Sequence, residues 1–397
     1  MSSGLIQKTV SQLARGMDRA FSGTALNPPR ALRPRSRAES LDHPARLRAL
    51  GAIASFYNRP EYLTRDNDLL PRPAAIAPSV KHVRSFGDAG EVLDLRWPSA
   101  FEPLWSNAAL IAHAQQLSAA ERASFGIGSG TDASLAEVMR AIGMDKSGEL
   151  REKYLRARAN QTAHARWFRH EHGTRPCAVL IHGYMSGSFA IETRMWPIKR
   201  LFDSGFDVVL TVLPLHGMRR AETRGYLPPA FPSNDPRFTI EGFRQVVFDH
   251  RALFDYLAGR VASIGVMGTS LGGYGAALLA TLEALQFAVL MVPLAGIEDV
   301  AHRDGRFTGD AQQQLAQRDA LRRAHWPISP FARESLLPGE RMRVVAGEAD
   351  QVTGLEHAQR LAAHFSAPLS VFHGGHLLQA GREEALEPVW QLLSKFV

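Results

Sequence analysis

The chain has 397 residues, 45% of them hydrophobic and 21% charged, which suits a globular protein of two domains or of one enlarged α/β domain. Its one cysteine, Cys177, excludes an intramolecular disulfide framework and fits a reducing compartment, so a cytoplasmic protein is expected. A net charge of +7 invites nucleic acid as a partner, but residues 1–50 hold nine Lys or Arg against three Asp or Glu, and the remainder is nearly neutral. Without a basic stripe to follow phosphates, no nucleic-acid binding is expected.

At the start, Ile6, Val10, Leu13, Met17 and Phe21 recur at spacings of three and four, which predicts an amphipathic helix over residues 5–21. No continuous apolar stretch follows the first residues, so no secretory signal peptide is expected, and no run reaches the roughly eighteen apolar residues of a membrane span. Residues 27–37 are rich in Pro and Arg and read as a linker, giving a basic leader over 1–38. The leader has two readings: its apolar face packs on the rest of the chain or on a second subunit, or it makes peripheral contact with an anionic membrane. A second helix is expected over 40–57 and a strand over 91–97. Residues 103–158 are largely helical in pattern, most clearly at 136–140 and 151–155. Gly126, Gly128 and Gly130 lack the strand, turn and helix of a dinucleotide fingerprint and read as a flexible loop. The alternation at 163–170 predicts a strand lying beside the one at Cys177, so residues 39–174 would supply the first strands of a sheet with helices inserted between them.

From Cys177 onward, apolar runs at 177–181, 208–213, 262–267, 287–292, 342–346 and 369–372 alternate with helical stretches, the rhythm of a parallel sheet covered on both faces. Two connections are long. Residues 214–240 carry turn and breaker residues without a helix signal, and residues 294–340 separate two later strands. Both leave the expected ligand-binding edge of the sheet and are candidates to wall a pocket.

Gly268-Thr269-Ser270-Leu271-Gly272 stands between an apolar strand run and an Ala- and Leu-rich helix. A strand turning at once into a helix strains the residue at the corner and exposes its side chain, and the flanking glycines keep Cβ atoms out of the closest approach. Ser270 would thus stand at a helix N-terminus, where free N–H groups favour negative charge. Other polar groups also follow apolar runs: His182-Gly183-Tyr184-Met185, Gly347-Glu348-Ala349-Asp350, and His373-Gly374-Gly375-His376. In an open parallel sheet such strand ends share one edge.

These motifs, in this order over residues 175–397, resemble the catalytic core of the α/β-hydrolase superfamily, in its serine esterase and lipase-like branch. The resemblance implies a mostly parallel central sheet with helices on both faces, here behind an N-terminal helical extension. The H-G would end the third strand and the elbow would follow the fifth. It implies Ser270 as nucleophile, Asp350 as acid and His376 as base, with the backbone N–H groups of Leu271 and Tyr184 as the oxyanion hole. Because His-Gly-Tyr replaces the His-Gly-Gly-Gly of many lipases and esterases, Met185 is the alternative second donor.

Within that scheme His373 competes with His376, which the preceding Gly pair would free to turn back over the sheet edge. Glu298 and Asp299 compete with Asp350, which is favoured by standing 80 residues after Ser270 and 26 before His376. His182 reads as a structural residue of the oxyanion loop, and His216 as a strand-end residue near the pocket. His170 and His172 lie two apart on one strand face, as a metal pair would, but no third ligand is near. Neither a metal nor a cofactor is expected. The expected activity is cleavage of a small-molecule or lipid-like carboxylic ester. A peptidase or thioesterase of the same fold, or a non-catalytic binding protein on that scaffold, is the alternative.

Overall fold

The computed structural model describes residues 2–23, 43–65, 67–127, 150–221, 229–233 and 235–397. The expected linker at 27–37, the helical pattern at 136–140, Gly128, Gly130 and most of the Gly225 to Pro229 run lie outside these residues. The chain begins with helices α1 (Ser2–Phe21) and α2 (His43–Tyr57) and a hairpin of β1 (Ser79–Ser85) and β2 (Gly90–Pro98). Helices α3 (Asn107–Gln116), α4 (Ala119–Ser124) and α5 (Leu150–Leu155) precede β3 (Thr162–His170).

Strands and helices then alternate: β4 (Pro176–Ile181), α6 (Phe189–Met195), α7 (Ile198–Asp203), β5 (Asp207–Thr211), α8 (Pro236–Leu257), β6 (Ser263–Thr269) and α9 (Leu271–Ala280). The last third contains β7 (Ala288–Met291), α10 (Ile297–Arg303), α11 (Ala311–His325), β8 (Met342–Gly347), α12 (Leu355–His364), β9 (Leu369–Phe372) and α13 (Arg382–Leu393).

Among the described residues nine strands form one sheet in the order β1-β2-β3-β5-β4-β6-β7-β8-β9. From β5 to β9 every pairing is parallel, and from β1 to β5 every pairing is antiparallel. Parallel strands buried on both faces read as unbroken apolar runs, and β4 is buried at all six positions. Successive side chains of β4 serve opposite layers. Cys177, Val179 and Ile181 join the core that includes α2, α8 and α9, while Ala178 and Leu180 join the core built on α7 and α13.

Three expectations are corrected here. The 163–170 strand pairs with β2 and β5, and β4 lies one place further in, flanked by β5 and β6. Strand β1 has no counterpart in the sequence reading because it is an edge strand exposed at all seven positions, with Val80 and Val83 in solvent, so burial imposes no pattern on it. It raises the strand count by one: the H-G ends the fourth strand and the elbow follows the sixth. Finally, the 214–240 connection contains the start of α8. Asp235 accepts from the Arg237 N–H, and Pro236 stands at the first helical position, where its missing N–H costs nothing. The stretch read as having no helix signal thus holds one, the Asp235-Pro236 pair.

The N-terminal elements are tied to the sheet through α8. The buried Glu241 carboxylate accepts from Tyr57 Oη (2.5 Å) and from the Trp105 backbone N–H (3.1 Å), and pairs with Arg244. Removing one member of such a buried network leaves a charge without partners, which costs far more than a surface pair contributes.

Candidate active site

The turn between β6 and α9 has the backbone that the sequence demands. Ser270 sits at φ 55°, ψ −115°, conformational space that a non-glycine residue occupies only when its surroundings force it. The forcing contacts are backbone on both sides. The Ser270 N–H donates to Met291 O (2.9 Å), and Ser270 O accepts from the N–H groups of Leu294 (3.0 Å) and Tyr274 (3.2 Å). A Cβ on Gly268 would lie 2.1 Å from Gly272 O, and one on Gly272 would lie 2.1 Å from Ile181 O. No side chain fits at either glycine. Met185, Leu215 and Val292, each just beyond β4, β5 and β7, also have positive φ, so the backbone is strained at four neighbouring strand ends.

Ser270, His376 and Asp350 come from three separate strand ends and form one hydrogen-bonded file. Ser270 Oγ lies 3.0 Å from His376 Nε2, and His376 Nδ1 lies 2.8 Å from Asp350 Oδ2. A carboxylate can only accept, so Nδ1 carries the proton and Nε2 presents a lone pair to the serine hydroxyl. Asp350 Oδ1 accepts from the N–H groups of Val352 (2.7 Å) and Thr353 (2.9 Å), and Thr353 Oγ donates to Oδ2 (2.8 Å). Burial works to raise the Asp350 carboxyl. The charge and hydrogen bond of His376, with the bonds from Thr353 and Val352, outweigh it and hold the group well below the usual carboxylate range.

The rival residues are engaged elsewhere. The ring of His373 packs against Gly381, whose hypothetical Cβ would lie 2.4 Å from His373 Cε1. Asp299 pairs with Arg318 (2.6 Å) and with Arg360. Glu298 is buried on α10, and burial followed by the charge of Asp299 pushes its carboxyl up to about 7.

The loop after β4 lies directly against the serine, since a Cβ on Gly183 would be 3.3 Å from Ser270 Cβ. His182 shapes this loop through both ring nitrogens. Nε2 accepts from the Leu213 N–H (3.0 Å), which leaves the proton on Nδ1 to donate to Gly183 O (2.7 Å). Desolvation lowers its pKa, in keeping with a neutral imidazole. Tyr184 follows, its hydroxyl donating to Pro229 O at 3.4 Å, and Met185 is exposed with φ 64°. On the other side of the turn Leu271 is the first residue of α9, and a first-turn N–H has no partner within its own helix. His216 is fully buried with Nδ1 2.8 Å from Pro214 O, and burial brings its pKa down to about 3. His170 is bound by Asp207 (2.9 Å) and stacks on Phe202, so it serves packing.

Two residues of the site were not anticipated. Thr353 three residues after Asp350 caps that carboxylate, and its signal was the Asp-x-x-Thr spacing alone. Asp18 of α1, fully buried, accepts from the backbone N–H of His376 at 2.7 Å. A cavity of about 700 Å³ lies elsewhere, between α2 and α11, and is lined by Leu47, Arg48, Phe125 and Arg322 among others, with no residue of the Ser270 file.

No protein-family model matches the chain. It is similar to two uncharacterized proteins of Mycobacterium tuberculosis, from strains CDC 1551 / Oshkosh and ATCC 25618 / H37Rv, at 31% identity over 234 residues. The match covers 57% of this chain and 55% of each relative, so the chain spans about half the length of the curated proteins it matches. Among solved structures it is similar to an acetyl xylan esterase from Paenibacillus sp. R4, with 12% identity, TM-score 0.49 and coverage of 92% of this chain and 100% of that one. It is also similar to acetyl xylan esterase 1 from Thermoanaerobacterium sp. JW/SL YS485, with 15% identity, TM-score 0.48 and coverage of 85% and 92%. A third, the Pyrococcus furiosus esterase Pf2001, has 17% identity, TM-score 0.42 and coverage of 59% and 87%. Independently of these distant likenesses, the strand order, the crossover helices on both faces and the strained turn between β6 and α9 give this chain the α/β-hydrolase fold.

Proposed function

We propose that the protein is a serine hydrolase acting on a carboxylic ester. One observation carries the reading: the file from Ser270 Oγ through His376 to Asp350, at 3.0 and 2.8 Å, starts at a strained turn that is itself a helix N-terminus. Ser270 Oγ attacks the acyl carbon while Nε2 of His376 takes its proton. Asp350 keeps the second ring proton on Nδ1 and stabilises the imidazolium. The N–H of Leu271, with that of Tyr184 or Met185, stabilises the oxyanion. The intermediate collapses as Nε2 returns the proton to the departing alcohol, leaving an acyl-enzyme. Water then attacks the acyl carbon, losing its proton to Nε2, and Ser270 is regenerated with the acid as product.

Apolar side chains exposed next to site residues favour a substrate with an acyl or lipid-like portion: Met185 follows Tyr184, and Leu377 follows His376. Leu13 and Met17, exposed on α1, would extend that apolar rim toward a membrane surface. A panel of p-nitrophenyl esters from acetate to decanoate, run beside thioester and peptide substrates, tests the reading. Ester turnover that vanishes in Ser270→Ala is the expected result. Preferred turnover of peptides or thioesters would reassign the substrate, and equal ester turnover by Ser270→Ala would refute the role of Ser270.

A further inference from the structure

We infer that Asp18 is a positioning residue: its carboxylate, on the first helix of the chain, holds the loops of His376 and Asp350 together. The geometric claim is independent of the proposed function, and its consequence for turnover rests on that reading. Asp18 Oδ2 accepts from the backbone N–H of His376 (2.7 Å) and of Gln351 (3.1 Å), and Oδ1 accepts from the N–H of Leu377 (3.0 Å). Those three donors are the base itself, the residue after it and the residue after the acid. One carboxylate more than 330 positions away in sequence thus bridges two loops whose side chains must meet within hydrogen-bond distance.

The rest of the contact is shaped to admit that carboxylate. Ser11, Ala14 and Asp18 lie three and four apart on one face of α1, and Ser11 Oγ donates to His373 O at 2.7 Å. Ala14 and Asp18 are both fully buried. A Cβ on Gly375 would stand 2.6 Å from Asp18 Oδ2 and 3.2 Å from Ala14 Cβ, so only glycine there lets α1 approach. The G-G-H pair therefore serves close approach rather than loop freedom. Neither Gly374 nor Gly375 has positive φ, and a Cβ on Gly374 would strike the Ala380 N–H and Leu378 O.

Burying a carboxylate merely to attach a helix is a poor choice, because an apolar side chain would adhere without the desolvation cost. Leu13 and Met17, which could have supplied adhesion, remain exposed. Directed at three backbone amides beside the reacting groups, the carboxylate does what an apolar side chain cannot: it fixes orientation through charge-assisted hydrogen bonds. Misplacing a reacting group by about 1 Å costs on the order of 100-fold in rate.

The test uses the full-length protein with Asp18→Ala and Asp18→Asn. It reads amide hydrogen exchange in peptides spanning 348–353 and 373–380, together with kcat and KM on p-nitrophenyl acetate. In Asp18→Ala both peptides should exchange faster while the central strands stay protected. On the proposed function kcat should fall about 10- to 100-fold with KM within about threefold. Asp18→Asn keeps one accepting oxygen but turns an amide N–H₂ toward a donor, so it should lie between Ala and wild type. It also provides the reading should Asp18→Ala not fold. Unchanged exchange in these two peptides overturns the inference, and so does faster exchange with unchanged kcat. If wild type itself turns over no ester while the two peptides still loosen in the variants, the proposed function fails and the positioning of the loops by Asp18 stands.

Discussion

Ser270 and His376 meet at 3.0 Å, yet the two ends of that hydrogen bond are held in different ways. The serine end is held from within. Its turn is bonded to Met291 and Leu294, in β7 and the connection that follows it, and wedged against Ile181 of β4 and Gly272 of α9. The histidine end is held partly from outside the sheet, by Ser11 and Asp18 of α1. The geometry of the proposed nucleophile is therefore a property of the core, whereas that of the proposed base also depends on how α1 is seated against its loop.

Substitutions can break or sharpen that contrast. Ser270→Ala should have the largest effect on turnover, a loss on the order of 10⁶-fold with an unchanged melting temperature, read by ester hydrolysis and calorimetry. Asp350→Asn should cost about 10⁴-fold, because an amide at that place favours the wrong imidazole tautomer. It also carries a pH signature. The folded carboxyl is depressed, so its stabilising contribution is present above the ordinary carboxyl value and lost as pH falls through the lowered one. The acid limb of the melting temperature should be shallower in Asp350→Asn than in wild type.

A glycine pair addresses the contrast itself. Gly272→Ala presses a Cβ into backbone of the core and should prevent folding or lower the melting temperature severely. Gly375→Ala presses on Asp18 and Ala14 instead and should leave a folded protein, about tenfold slower, with α1 more readily cleaved by protease. Equal destabilisation by the two substitutions would erase the distinction. Thr353→Val should cost about tenfold in kcat, since it removes one hydroxyl bond to Asp350 and leaves the file intact.

The smallest effect on turnover, none, is expected of Glu298→Gln. Its folded carboxyl is raised, so the native state binds that proton more tightly and the contribution is complete below about pH 4.5. It is lost as pH rises through about 7. Wild type should therefore lose stability on the order of 2 kcal/mol across that window, and Glu298→Gln should flatten the decline.

The sheet and its strand ends were legible in the sequence because parallel strands read as apolar runs, and because Gly268, Gly272 and Ser270 carry a local signature. The three polar residues of the file follow such runs directly. What escaped has no periodic signature. Apolar spacing marked Ile6, Val10, Leu13, Met17 and Phe21 as the apolar face of α1, either packed on protein or laid on a membrane. The docked face instead runs through Ser11, Ala14 and Asp18, with Leu13 and Met17 in solvent. Hydrophobic periodicity finds stripes that adhere, and it is blind to a carboxylate whose partners are backbone amides at the other end of the chain. The exposed strand β1 was missed for a related reason, since nothing buries either of its faces.

The proposed function stands or falls with Ser270 as a nucleophile activated by His376. Its most direct test is to treat the protein with a fluorophosphonate and locate the adduct by peptide mass spectrometry, comparing wild type with His376→Ala and His373→Ala. One adduct is expected, on Ser270, formed at the wild-type rate in His373→Ala and slowed by orders of magnitude in His376→Ala. No adduct on wild type, an adduct on another serine, or a rate that depends on His373 and not on His376 would contradict it.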